Sequence, residues 1–154
     1  MSDIGSLRNV QLVRNGKNIA TIDVYEFIMK GNTQDDIRLQ EGDVVIVPAY
    51  DVLVKISGKV KRPMRFEMKK DENLATLIKY AGGFEADAYT RSLRVVRQNG
   101  EEYEVNTVKD MDYSIYTMRN GDVVTAEAIL NRFTNKLEIR GAVYRPASTS
   151  SAVN

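Results

Sequence analysis

The residue types that most often carry enzyme chemistry are the ones this chain lacks. It contains no Cys and no His. There is therefore no thiolate nucleophile, no possible disulfide, and neither of the side chains on which zinc sites normally draw. The commonest general base is missing as well. A carboxylate pair could act in its place, but no Asp/Glu spacing stands out from a solvated surface. What remains are arginines and aromatic rings. Arg62-Pro63 and Arg145-Pro146 end matching segments; a guanidinium there could grip an anionic sugar or an adjacent subunit, or could simply flank a turn set by the proline. Tyr80, Phe84 and Tyr89 surround the exit of a helix candidate, and Tyr144 precedes the second Arg-Pro. Their rings could stack on apolar sugar faces, although a Tyr near a helix end also serves as half-buried core. Tyr103, Tyr113 and Tyr116 admit the same two readings. The candidate ligand or subunit contacts are thus Arg62, Tyr80, Tyr89, Tyr144 and Arg145, with no catalytic or metal-ligating residue and no cofactor expected.

The surrounding composition narrows the function classes. With 154 residues and 43% apolar content, a real core can form. Charged residues make up 28% and nearly cancel, leaving a formal net charge of +1. Nucleic-acid binders usually show a basic excess or patch, so that class is excluded. Lys59, Lys61, Arg62, Arg65, Lys69 and Lys70 cluster locally, but Glu67, Asp71 and Glu72 balance them into a solvated face. Gly82-Gly83 is not followed by Gly-Lys-Ser/Thr and reads as a helix stop rather than a phosphate loop. The longest strictly apolar run, Val44 to Val47, is four residues, against roughly 20 for a membrane-spanning helix. Residues 1–20 hold no signal-peptide apolar core.

The elements that must position these candidates come as an imperfect repeat. Leu7 to Gly16 resembles Leu93 to Gly100, each ending in Asn-Gly, the strongest short-range hairpin signal. Leu39-Gln40-Glu41-Gly42-Asp43-Val44-Val45 is matched by Met118-Arg119-Asn120-Gly121-Asp122-Val123-Val124. Ile56-Ser57-Gly58-Lys59-Val60-Lys61-Arg62-Pro63 is matched by Ile139-Arg140-Gly141-Ala142-Val143-Tyr144-Arg145-Pro146. The offsets are 84, 79 and 83 residues, a near-constant spacing that two unrelated hairpin-rich segments would not share.

Strands are predicted near 8–14, 18–23, 44–48, 52–60, 64–68, 93–98, 102–106, 122–126 and 136–143, with a short turn near 107–112. A helix is predicted at 24–30, opened by a capping box of Asp23 with Glu26 and stopped at Gly31. A second at 72–81 carries Leu74, Leu77, Ile78 and Ala81 on one stripe, with Asp71 or Asn73 as cap. Small mixed sheets, each with one helix, describe an α+β architecture of tandem β-grasp units. The complete unit is expected at 51–127. Residues 5–50 form a partial unit without its leading strand and helix, expected to be completed by 128–147 of the same chain or by a neighbouring chain, and 148–154 form a disordered tail. The phase implies a section of a longer protein that starts and ends mid-repeat.

The pattern Leu39 to Pro48 resembles the sequence that closes a unit in bacterial polysaccharide export outer-membrane proteins. Val54 to Pro63, followed by a helix ending Ala81-Gly82-Gly83-Phe84 and a strand running into Asn99-Gly100, is similar to a soluble-ligand-binding β-grasp (SLBB) domain. The resemblance covers about 5 to 147. It implies a periplasmic module of a capsule or exopolysaccharide exporter, a homo-oligomeric ring, polysaccharide as cargo and an inner-membrane polysaccharide copolymerase as partner. Outer-membrane attachment would rest on parts outside these residues. The resemblance also admits a soluble small-ligand or carbohydrate-binding β-grasp module unrelated to export.

Overall fold

The computed structural model describes residues 4–34, 36–130, 136–139 and 147–150, the last two stretches by their backbone alone. Its first sheet begins with strand β1 (Val10–Arg14), which turns at Asn15-Gly16 into β2 (Lys17–Ile22). Arg14 pairs with Lys17 across a two-residue loop, with φ of 51° at Asn15 and 74° at Gly16. These are the positive dihedrals that the Asn-Gly pair anticipates. Helix α1 (Val24–Lys30) follows directly. Asp23 caps it by accepting from the Tyr25 amide at 3.0 Å, and Gly31 ends it at φ 67°. The capping box is half realised: the Glu26 side chain pairs instead with Lys30 at 2.7 Å, four residues on. Strand β3 (Val44–Ile46) then pairs with the other edge of β1, giving the order β2-β1-β3.

The second sheet has five strands in the order β5-β4-β8-β6-β7. They are β4 (Val52–Gly58), β5 (Arg65–Met68), β6 (Ser92–Gln98), β7 (Tyr103–Lys109) and β8 (Val123–Ala126). Only the β4–β8 pair is parallel, and it sits at the centre. Helix α2 (Leu74–Tyr80) is capped by Asn73, which accepts from the Thr76 amide at 3.0 Å. Leu74, Leu77 and Ala81 pack with Val54, Ile56, Phe66, Leu93, Val95 and Val124 in one core. Alternation along β4 puts Val52, Val54 and Ile56 inside and Lys55 outside, as a sheet with one covered face requires. The architecture is thus α+β, and the five strands with their helix lie within 51–127 as a β-grasp-like unit.

The second Asn-Gly behaves differently from the first. β6 and β7 are joined by four residues, since Gln98 pairs with Tyr103. The Asn99 side chain accepts from the Glu101 and Glu102 amides, at 3.2 and 2.9 Å, and so holds a wider loop closed. β7 also runs through Lys109, beyond the predicted end, before a single 3-10 turn at Asp110–Asp112.

The repeat is carried by register. Val13, Leu12 and Gln11 face Val44, Val45 and Ile46, just as Val96, Val95 and Arg94 face Val123, Val124 and Thr125. The offsets are 83 residues on the first strand and 79 on the second. Leu93 is therefore the counterpart of Val10, not of Leu7. The last two described stretches, β9 (Lys136–Ile139) and β10 (Ala147–Ser150), pair with each other as an antiparallel two-stranded ladder. Residues 148–150, expected in a fraying tail, are part of β10; 151–154 lie outside the described residues. Residues 131–135 and 140–146 of the segment expected to complete 5–50 also lie outside them.

Candidate functional site

Three features set the molecule apart from a plain sheet-and-helix core. The first is a buried charged knot where α1 and the chain before β1 meet β5 and α2. Arg8 is 6% exposed. Its Nε donates to Asp23 Oδ1 at 2.8 Å, and its Nη atoms reach both oxygens of Glu72 at 3.0 and 3.1 Å. The guanidinium also donates to the Glu67 carbonyl at 3.2 Å and lies 4.5 Å from the centre of the Tyr25 ring. Tyr25 and Tyr80 meet edge to face at 5.2 Å, and the Tyr80 hydroxyl donates to Glu72 at 2.6 Å. The Glu67 carboxylate accepts from the Ser6 hydroxyl and from the Leu7 amide. Lys69 Nζ closes the knot on Asp23 Oδ2 at 2.8 Å.

Burial alone would penalise every charge here, but the pairing outweighs it. Burial pulls against the Arg8 cation, yet hydrogen bonds to Glu72 and Asp23 raise its pKa. Burial pushes the Asp23 and Glu72 carboxyls up, and the hydrogen bonds they receive from Arg8, Lys69 and Tyr80 bring both below the usual range. Tyr80 is raised by burial and by the adjacent Glu72. Carboxylates locked in this way stay ionised at neutral pH and are poor proton donors. The arrangement fixes one unit against the other. Beside it, Ser6, Arg8, Ala49, Glu67, Lys69 and Lys70 line an open cleft of about 340 Å³.

The second feature is a duplicated clamp. Arg14 grips Asp43 at 2.7 and 2.8 Å and reaches the Arg38 carbonyl at 3.4 Å, while the Gln40 amide donates to Asp43 at 2.8 Å. Arg97 grips Asp122 at 2.9 and 2.7 Å and reaches the Thr117 carbonyl at 3.0 Å, and the Arg119 amide donates to Asp122 at 2.8 Å. Arg14 lies on β1 and Arg97 on β6, so each clamp ties the strand that pairs with β3 or β8 to the Gly-Asp turn, where Gly42 and Gly121 stand at φ 86° and 85°. The paired charges hold the Asp43 carboxyl at about 2.

The third feature is an apolar trough of about 380 Å³ lined by Ile22, Phe27, Ile37, Leu39 and Val45, with Asp23 and Asp36 at its polar edge. At two of its positions, Leu39 and Val45, the complete unit buries the counterpart residue. Leu39 is 62% exposed, whereas its counterpart Met118 is 2% exposed. Among the described residues, nothing covers this face.

The candidates read from sequence are scattered by the fold. Tyr80 is interior: it is 8% exposed, with its ring against Tyr25 and its hydroxyl on Glu72. That corrects its reading as a sugar-stacking residue, since no ring face is free. Arg62 is exposed at the end of α2, its guanidinium close to Gly82. Tyr89 is 44% exposed on the loop whose amide donates to Glu127 at 2.7 Å. Tyr144 and Arg145 lie outside the described residues. Sequence reasoning missed the knot of Arg8, Asp23, Glu67 and Glu72, in which Leu7 and Glu67 stand 60 residues apart and Arg8 and Glu72 64. It also missed the clamp, although an Arg one or two residues before each Asn-Gly and an Asp after each turn glycine carried the signal.

Comparison with known proteins bears on this architecture at one point. Residues 53–106 match the family model described as the SLBB domain. The matched stretch starts within β4, contains β5, α2 and β6, and ends within β7, so the similarity to the SLBB domain falls in the five-stranded unit. No curated protein matches the chain. Among the described residues, no helix is long and apolar enough to cross a membrane.

Proposed function

We propose that this chain is a non-catalytic periplasmic module of a capsule or exopolysaccharide export outer-membrane protein, contributing to an oligomeric conduit through which polysaccharide passes. The observation that carries this reading is the SLBB domain at 53–106, preceded by the three-stranded sheet of a second unit in the same register. Tandem units stacked through a rigid charged knot suit a wall-forming part, which must hold shape while its cargo moves. Weak polar contacts from exposed groups such as Arg62 and Tyr89 suit a moving anionic polymer better than a tight pocket, which would stall it. The partners in this reading are further copies of the chain, the polysaccharide and an inner-membrane polysaccharide copolymerase.

The test is deletion of the encoding gene in its source bacterium, with surface polysaccharide measured against total polysaccharide. The expected result is loss of surface glycan with retention inside the cell envelope, restored by the intact gene. Unchanged surface glycan would overturn the export reading.

A further inference from the structure

The edge of β3 that faces away from β1 carries no ladder among the described residues. Its counterpart β8 has β4 on that side, in parallel, with Lys55 opposite Val123 and Ile56 opposite Val124. The hairpin β9–β10 is in turn the counterpart of β4–β5. Its pairs Leu137–Thr149 and Glu138–Ser148 lie 83 residues beyond Val54–Phe66 and Lys55–Arg65. Among the described residues, one copy of the chain therefore holds, at the same time, an open strand edge and a hairpin of the kind that closes such an edge, and the two are not paired with each other.

We propose that copies of this chain associate by strand addition, with β9 of one copy pairing in parallel with β3 of the next. The register follows from the complete unit: Glu138 opposite Val44, and Ile139 opposite Val45. Three observations support this occupant over an unrelated one. Leu137 and Ile139 fall at the register positions of Val54 and Ile56, both 0% exposed in the complete unit, while Glu138 falls at that of the exposed Lys55. Val45, 51% exposed, stands where Val124 is fully covered. Gly58 must be glycine, because a Cβ there would sit 2.0 Å from the Ala126 carbonyl oxygen and its φ is 84°. The sequence carries a glycine, Gly141, at the same 83-residue offset from Gly58. Main-chain pairing would supply affinity, and the alternating apolar residues would supply specificity. The two surfaces differ, so the contact is heterologous and each added copy again offers one edge and one hairpin. This inference does not rest on the export reading and would stand if that reading failed.

The chain has no cysteine, which makes engineered cross-linking unambiguous. Neighbouring strands lie about 4.8 Å apart, within disulfide reach. Full-length Val44→Cys and Glu138→Cys proteins are mixed at high concentration under mild oxidation. Val44 is 54% exposed, so its replacement leaves the core intact. The expected product is a disulfide-linked pair containing one of each, with neither variant linking to itself, and a ladder of linked multimers from the double variant. A double variant that closes only as a linked monomer would overturn the proposal, because the hairpin would then serve its own chain. A mixture that forms no link would overturn it too. Gly141→Val should abolish the link and leave the melting of the 51–127 unit unchanged; an undiminished link would show the register to be wrong.

Discussion

Val124 and Val45 occupy the same register position in two sheets, one with 0% of its surface exposed and the other with 51%. Around them the two units share a hairpin, a Gly-Asp turn and an Arg–Asp clamp with the same backbone contacts. What differs is cover. Val124 lies in a strand paired with β4 alongside it, and its unit adds β5 and α2 to the same core. The β2-β1-β3 sheet has no such layer among the described residues, and its own helix turns toward the neighbouring unit, burying Tyr25 against Tyr80. Local turn chemistry and charge pairing therefore suffice to shape the half unit, but not to bury its core. Its stability depends on the charged knot that ties it to the complete unit, and its open face is what a partner strand would cover.

Several substitutions would break or sharpen this contrast. The largest effect is expected at Gly58→Ala, which should prevent folding of the 51–127 unit, because the new Cβ would overlap the Ala126 carbonyl at 2.0 Å. Gly42→Ala meets nothing within 4 Å and has only its φ of 86° to strain, costing about 1–2 kcal/mol in chemical denaturation. Arg8→Ala comes next. It leaves Asp23 and Glu72 buried without their main cation and should cost about 3–5 kcal/mol in urea unfolding, with earlier melting of the half unit. Met118→Ala should cost about 2–3 kcal/mol, while Leu39→Ala at the matching position should stay within about 0.5 kcal/mol in dilute solution.

The smallest effect is that of acid. Asp23, Glu72 and Asp43 have pKa values depressed by folding, Asp43 to about 2. Their contribution is therefore complete above the unfolded carboxylate range of about 4 and is lost as pH falls through the folded values. Melting temperature should be flat from about pH 7 to 5 and decline toward about pH 2. A decline that begins near neutrality would contradict the assignment.

Much of the frame was legible in the sequence, because turns and caps are local. Asn15-Gly16, Asp23, Gly31 and Asn73 act where they stand, and the repeat of Gly-Asp before a short apolar strand exposed the two units. The exceptions have physical causes. The second Asn-Gly formed a four-residue loop because the Asn99 side chain captured two amides, a choice that the dipeptide does not reveal. Glu26 paired forward with Lys30 rather than backward with the cap. Tyr80 admitted both a stacking and a half-buried core reading, and the partner that decides between them, Tyr25, comes from another unit. The knot around Arg8 joins residues about 60 positions apart, and spacing along one chain does not announce such partners.

The contrast in cover is tested most directly by amide hydrogen exchange, followed by mass spectrometry on peptides spanning 44–46 and 123–126 of the intact chain. In dilute solution, β8 should exchange only through global unfolding and β3 at least about 100-fold faster, since its outer edge is unpaired. Raising the protein concentration should slow β3 and leave β8 unchanged. Equal protection of the two strands at high dilution would contradict an open first unit.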